Sequence, residues 1–536
     1  MIRHIRLFHI AAALLAAAQM HAFSADGIIT KDKVGAGAMP ADIGAVTEAP
    51  FKMKGLKAPV FKDRKVVISQ ADISAGGLIT PAINEKISGL SKKGGGTVVI
   101  PRGTWRAGRI TLKSNVRLHV EKDAVLEFSG SIDDYQPAVF TRHEGVEVMG
   151  AGAFIYANGA RNIALTGEGV VTGPPMDSAM RRLRNGNSVI EKDISADTPV
   201  AERLCDGLGG RTFYRPKSFA PINCKNVLVE GVTFEKSVLW NVNPIYCDNV
   251  IIRGITVNST KVPSGDGIDI SSCRNVLIEY CTLNCGDDCF TLKAGRCEDG
   301  LRVNRPTENV LIRYCLSKDG HGGITCGSET AGMIKNVYLH SCVFYGTRVG
   351  FRFKTRRNRG GGISDVLYEN VRLVDVREAF TWDLLGTPMY VGELARRNPP
   401  LDITELTPVV KNITIRNFIV ESADRLISVH GIPEIPCSNV LIEEGTVRTN
   451  RIFKSMDDID GLTMRNMDIH ATDNTMNIDD GRNITFDRVR FYVPENRLNM
   501  NIKGSKAGNI FITDGTESAH ARRGCSLSDI QIGRAS

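Results

Sequence analysis

Cys224-Lys225-Asn226-Val227-Leu228-Val229-Glu230-Gly231-Val232 decides the fold. It consists of a Cys, one variable residue, an Asn, and then a run of Val and Leu. The phrase returns as Cys247-Asp248-Asn249-Val250-Ile251-Ile252, as Cys273-Arg274-Asn275-Val276-Leu277-Ile278 and as Cys437-Ser438-Asn439-Val440-Leu441-Ile442. Without the Cys it recurs at Asn115, Asn162, Asn309, Asn336, Asn412 and Asn483, with Asp365 as a variant. Counting from Asn226, the intervals are 23, 26, 34, 27 and 29 residues, ending at Asp365. A period of roughly 20–30 residues built from short apolar runs is the signature of a solenoid. Val, Ile, Leu, Thr and Tyr make each run a strand rather than a helix. Each repeat is therefore one coil of short parallel strands, stacked about 4.8 Å above the last.

Asn at the head of each strand has a physical role. It tolerates a left-handed turn, and stacked Asn side chains can bond one another up a column. The neighbouring Cys reads as a small buried filler in the same column. Thirteen Cys is an odd number, so one thiol is left over. Cys281, Cys285, Cys289 and Cys297 are near enough in sequence for one local disulfide. At the N-terminal end, Thr80-Pro81 opens a short helical pattern with Ile83, Ile87 and Leu90 on one face. A helix there would cap the open end of the solenoid.

The repeat overturns the count of three or four domains that 536 residues suggest. The expected organisation is a signal peptide over 1–25, a leader or extended arm over 26–60, and a cap with the first coils over 61–130. One elongated catalytic domain over 131–515 and a tail over 516–536 follow. Arg3, His4 and Arg6 before the apolar run Ile10–Ala18, then Ala22, Ser24 and Ala25, suit an export signal. The expected location is periplasmic or extracellular, with no membrane anchor. Composition is ordinary, with 42% hydrophobic and 24% charged residues, which excludes a wholly disordered chain. Glycine has no triplet period, so collagen is excluded. The net charge of +8 favours an acidic partner. The arginine-rich stretch 355–359 lacks the interleaved aromatics of a nucleic-acid site. Two stretches break the repeat, roughly 176–213 and 384–408, and are read as loops lining a site.

The chemistry is expected in mid-solenoid. Asp266 and Asp269 lie in Ser264-Gly265-Asp266-Gly267-Ile268-Asp269, and Asp287-Asp288 follow Gly286. Asp266 and Asp287 are 21 residues apart, about one coil. Stacking would bring three carboxylates to one face, provided the chain bends at Gly286. Crowded carboxylates spread their proton affinities, the requirement for an acid and a base acting on a glycosidic bond. Gly320-His321-Gly322-Gly323 comes one coil later, and Arg352-Phe353-Lys354 the next. Alternation puts Arg352 and Lys354 on one face, fit for an anionic sugar.

Taken together, Asp266-Gly-Ile-Asp269, Gly286-Asp287-Asp288, Gly320-His321-Gly322 and Arg352-Phe-Lys354 resemble the polygalacturonase family of glycoside hydrolases. The longer strings GDDCFTLKAG, GHGGITCGSE and FRFKTRRNRGG are similar to its exo-acting branch. The resemblance implies an all-β fold, a right-handed parallel β-helix. It implies inversion, with Asp287 as general acid, Asp266 and Asp288 holding and activating the water, and His321 supporting the acid's charge state. Arg352 and Lys354 would hold the galacturonate carboxylate, with Ser264 and Asp269 also among the substrate-binding residues. Ser264-Gly265 replaces the family's usual Asn-Thr. The implied partner is a pectic polysaccharide or oligogalacturonide, acted on by a monomer, with no metal and no cofactor. Two alternatives stand beside this: a Ca²⁺-dependent pectate lyase on the same fold, and a non-catalytic carbohydrate-binding solenoid.

Overall fold

The structure, a computed structural model, describes residues 27–53, 56–183, 189–513 and 530–534. The expected signal peptide, Cys525 and most of the tail lie outside the described residues. From Gly96 onward the chain winds as a parallel β-helix in which equivalent strands of successive coils pair in parallel. Val227, Val250, Val276, Val310, Val337 and Val366 occupy one ladder position and are all buried. Inward positions alternate with outward ones, as the two-residue period of a strand requires. The interior is a continuous apolar column, with Phe351 and Phe380 stacked at 5.2 Å and Phe353 and Trp382 at 5.0 Å between ring centroids.

The helix expected at the N-terminal end spans Thr80–Lys92 and buries Ile83, Ile87 and Leu90 against the first coils. The repeat Asn residues adopt left-handed backbone, with φ of 56° at Asn226 and Asn275 and 58° at Asn249. Their amides form a ladder: each Nδ2 donates to the Oδ1 one coil below, from Asn336 through Asn309, Asn275, Asn249, Asn226 and Asn162 to Asn115. Asp365 accepts from Asn412 in the same way. The twelve described cysteines are buried free thiols. The local disulfide considered for Cys281, Cys285, Cys289 and Cys297 is not formed. Apolar burial keeps Cys281 and Cys285 as neutral thiols, well above the usual thiol range.

The segment read as a leader or arm lies along the outside of the β-helix. Ile43, Val46, Phe51 and Met53 cover an outward apolar stripe of Leu228, Ile251, Leu277 and Leu311. Beside that stripe Arg253 and Arg313 clamp the buried Glu279 at 2.9 and 2.7 Å. Both arginines then bond arm carbonyls, Arg253 to Pro40 and Arg313 to Gly44. At the far end, Ile530–Arg534 pairs in parallel with Leu498–Lys503. Among the described residues no helix is long and apolar enough to cross a membrane.

The asparagine ladder sets a stability prediction. Asn275→Ala loses two amide hydrogen bonds and places a Cβ residue in the left-handed region. At about 1 kcal/mol per bond and ~1–2 kcal/mol for the backbone, the loss is about 3–4 kcal/mol. Asn275→Gly should lose only the bonds and melt above the Ala variant. Equal melting temperatures for the two would contradict the left-handed requirement.

Candidate active site

Five stacked strands form an outward-facing floor: Ile268–Ser271 (β1), Phe290–Lys293 (β2), Gly320–Cys326 (β3), Thr347–Lys354 (β4) and Val376–Asp383 (β5). Ile268, Phe290, Ile324, Phe351 and Phe380 share one inward register position. One residue on, Asp269, Thr291, Thr325, Arg352 and Thr381 share an outward one. The same register carries back to the strand heads. Gly267 N–H donates to the Asp288 carbonyl at 3.0 Å, Cys289 N–H to Gly322 at 2.8 Å and His321 N–H to Asp287 at 2.9 Å. The coils that carry Asp266, Asp287 with Asp288, and His321 are therefore stacked directly on one another. Asp266, Asp287 and Asp288 converge at the upstream edge of the floor, and His321 stacks on Asp287.

Gly286 and Asp287 form a bend before β2, and this lets both Asp287 and Asp288 face the site. A Cβ at Gly286 would lie 2.2 Å from the Val262 carbonyl oxygen, so the bend admits only glycine. The carboxylates differ in environment. Asp266 is buried, its Oδ1 lacks a hydrogen-bond partner, and burial followed by the charges of Asp269 and Asp287 holds its carboxyl well above the usual range. Asp287 is 35% exposed. Burial raises its proton affinity, but the hydrogen bond from His321, 3.4 Å away, with Lys354 and Lys293, carries it below the usual range. Its Oδ1 also accepts the Asp288 N–H at 3.0 Å.

A second cluster, which sequence reasoning missed, underlies Asp269. Lys293 is buried, 3.1 Å from Glu329 and 3.7 Å from Asp269, with its ammonium 4.4 Å from the centre of the Trp240 ring. One cation serves two acids. Burial pushes Glu329 up, but Lys293, Arg296 and Arg359 outweigh it and bring Glu329 to about 2. Asp269, pushed up chiefly by burial against the pull of Lys293, stands at about 8. Thus Glu329 carries the charge and Asp269 keeps a proton. Lys293 shares Asp269's face of the floor, and that shared face was the available signal.

Arg352 and Lys354 project from β4 on the outer side, while Phe353 is buried in the core. The Arg352 guanidinium lies 3.9 Å from Asp288 and 3.9 Å from Asp383, and its Nε and Nη1 have no hydrogen-bond acceptor. Among the described residues no carboxylate lies within ion-pair distance of Lys354. Burial and then the neighbouring Arg352 lower its ammonium pKa. Ser264 lies at the rim with φ of 57°. It shares a cleft of ≈ 660 Å³ with Asp287, His321, Asp319 and Arg348. Arg348 was also missed in the sequence.

The arginines beyond Lys354 require a correction. Sequence alone makes them either extra charge toward an acidic sugar or a solvated basic loop. Arg356, Arg357 and Arg359 are instead buried and paired, at 3.5 Å to Asp383, 2.6 Å to Glu434 and 2.6 Å to Glu191. A buried guanidinium is costly unless paired; β5 supplies Asp383, and segments distant in sequence supply Glu434 and Glu191. Glu191 belongs to the stretch 176–213, and it also binds Arg296 at 2.7 Å. The antiparallel strands Val139–His143 and Val146–Gly150 add to this wall, where Arg142 donates to Ser272 at 2.8 Å and Glu147 accepts from Tyr246 at 3.0 Å. Asp287, Asp288 and His321 offer ligand atoms within 4.8 Å of one another, a spacing that a metal ion could also use.

Residues 205–444 match the family described as "Glycosyl hydrolases family 28". A "Probable polygalacturonase" of Vitis vinifera is 26% identical over 408 residues, covering 72% of this chain and 75% of that protein. The "Exo-poly-alpha-D-galacturonosidase" of Dickeya chrysanthemi is 23% identical over 316 residues, 55% of this chain and 52% of that protein. The crystal structure of a hyperthermoactive exopolygalacturonase from Thermotoga maritima superposes with a TM-score of 0.66 at 29% identity, covering 76% of this chain and 93% of that one. The exopolygalacturonase of Yersinia enterocolitica, at 19% identity and a TM-score of 0.61, shares the fold. The coil is thus a right-handed parallel β-helix. Over residues 205–444 the chain is thus similar to glycosyl hydrolases family 28 and to polygalacturonases, and it is a glycoside hydrolase.

The shared cation yields a pH prediction. The folded pKa of Asp269, about 8, is above its unfolded value near 4, so its contribution to stability is complete below about 4 and is lost as pH rises to about 8. In Asp269→Asn that loss is absent. The melting temperature of the variant relative to the native chain should therefore climb between pH ~4 and ~8. A difference independent of pH would contradict the protonated state.

Proposed function

We propose that the protein is an inverting, exo-acting hydrolase that releases α-linked galacturonic acid from pectic poly- or oligosaccharides. The observation that carries this is the arrangement of one floor: three carboxylates at its upstream edge and the cation pair Arg352 and Lys354 two to three coils on, in continuous register. Arg352, with free donors between two carboxylates, and Lys354 would receive the sugar carboxylate at the cleavage point. Asp287 would protonate the leaving oxygen, and Asp266 with Asp288 would hold and activate the attacking water.

Burial favours a proton on Asp266, whereas His321, Lys354 and Lys293 favour the ionised form of Asp287. Substrate binding favours the working pattern. A seated sugar strips water from half-exposed Asp287, and its carboxylate neutralises Arg352 and Lys354, which otherwise favour the ionised acid. Both changes raise the proton affinity of Asp287. The negative charge so concentrated around Asp266 and Asp288 polarises the water between them. Exo action is supported by the wall of Glu191, Arg296 and Arg359, which bounds the floor at the C-terminal ends of its strands. Export to the periplasm or beyond, and action as a monomer, complete the proposal.

The test is Asp287→Asn on defined galacturonate oligomers. Release of galacturonic acid should fall by a factor on the order of 10²–10⁴, with melting behaviour retained. Turnover close to native would overturn the assignment. A lyase would instead form unsaturated products absorbing in the ultraviolet and lose activity in EDTA, and the metal-compatible spacing of Asp287, Asp288 and His321 makes this the control to run.

A further inference from the structure

The proposed chemistry gives no role to Arg348. It lies on β4 opposite His321 of β3, because Gly320 pairs with Thr347 and Gly322 with Val349. Arg348 Nη1 is 3.1 Å from His321 Nε2, and His321 Nδ1 is 3.4 Å from Asp287 Oδ1. Arg348 is exposed and lines the same cleft, and among the described residues no carboxylate pairs with it.

A guanidinium has donors only. Its hydrogen bond therefore needs a lone pair on Nε2. A neutral imidazole has one N–H, which must then be on Nδ1, the nitrogen facing Asp287. We propose that Arg348 is a positioning residue for the acid: it fixes His321 in the Nδ1-protonated tautomer, so that the imidazole donates to the Asp287 carboxylate left when the proton has been given up. This inference rests on the reading of Asp287 as the acid. Among the described residues no other side chain bonds Nε2 to select the tautomer. The alternative, Nε2-protonated form would turn a lone pair toward Asp287 and repel the developing charge.

The test combines nitrogen-15 NMR of the histidine rings in the full chain, with the His321 signal assigned by its loss in His321→Asn, with steady-state kinetics at one pH above neutrality. The native chain should show His321 protonated at Nδ1. Arg348→Ala should move it toward Nε2 and lower kcat about tenfold with KM within about twofold, the split expected of a group acting in the transition state. Arg348→Gln, whose amide can still donate to Nε2, should restore the tautomer and most of kcat. A native Nε2-protonated ring would overturn the inference, as would an unchanged tautomer in Arg348→Ala. A raised KM at constant kcat would make Arg348 a substrate-binding residue instead. If the tautomer moves as expected while Asp287→Asn stays active, the acid assignment has failed rather than the tautomer lock.

Discussion

Parallel pairing in constant register is the constraint on which the rest of the molecule depends. Each coil delivers one residue to each column, so whatever chemistry one coil places on its outer face is continued by the coils above and below. Ile268, Phe290, Ile324, Phe351 and Phe380 continue the core in this way. The strand heads continue the site from Asp266 through Asp287 and Asp288 to His321 and Arg348. The left-handed asparagines keep the register by making the same turn, with the same amide bond, in coil after coil. A slip of one residue would invert every side chain, burying Arg352 and Lys354 and exposing Phe351 and Phe353.

The second governing term is electrostatic. A floor of buried carboxylates is unstable unless protons or cations neutralise it. Here Lys293 neutralises Glu329, leaving Asp269 protonated, while Arg352 remains loosely held between Asp288 and Asp383 at 3.9 Å. The cations farther along are fully committed: Arg356, Arg357 and Arg359 hold the loops in place. The site therefore separates cations that build the wall from cations still able to accept a ligand. The two kinds cannot be told apart by charge alone.

That separation also marks what could be read in the chain. The repeat phrase and its spacing gave the parallel coil, the filler role of the cysteines, the asparagine column and the capping helix over Thr80–Lys92. One-coil spacing brought together Asp266, Asp287, His321 and Arg352, because in a solenoid sequence distance maps onto spatial distance. Contacts that leave the ladder were not legible. Glu191, 105 residues from Arg296, and Glu434, 77 residues from Arg357, reach their partners through loops with no period. The cover formed by residues 43–53 was missed in detail because the stripe it protects sits on strand positions that alternation assigns to solvent. Arg348 had only parity to announce it: it shares the outward face of Arg352, four residues upstream.

The most direct measurement of the central claim is the anomer released first, followed by proton NMR on a defined galacturonate oligomer before the product equilibrates. A water held by Asp266 and Asp288 opposite the acid Asp287 predicts β-galacturonic acid from the α-linked chain, a single displacement. α-Galacturonic acid appearing first would mean a covalent intermediate, and would contradict the roles given to the three carboxylates.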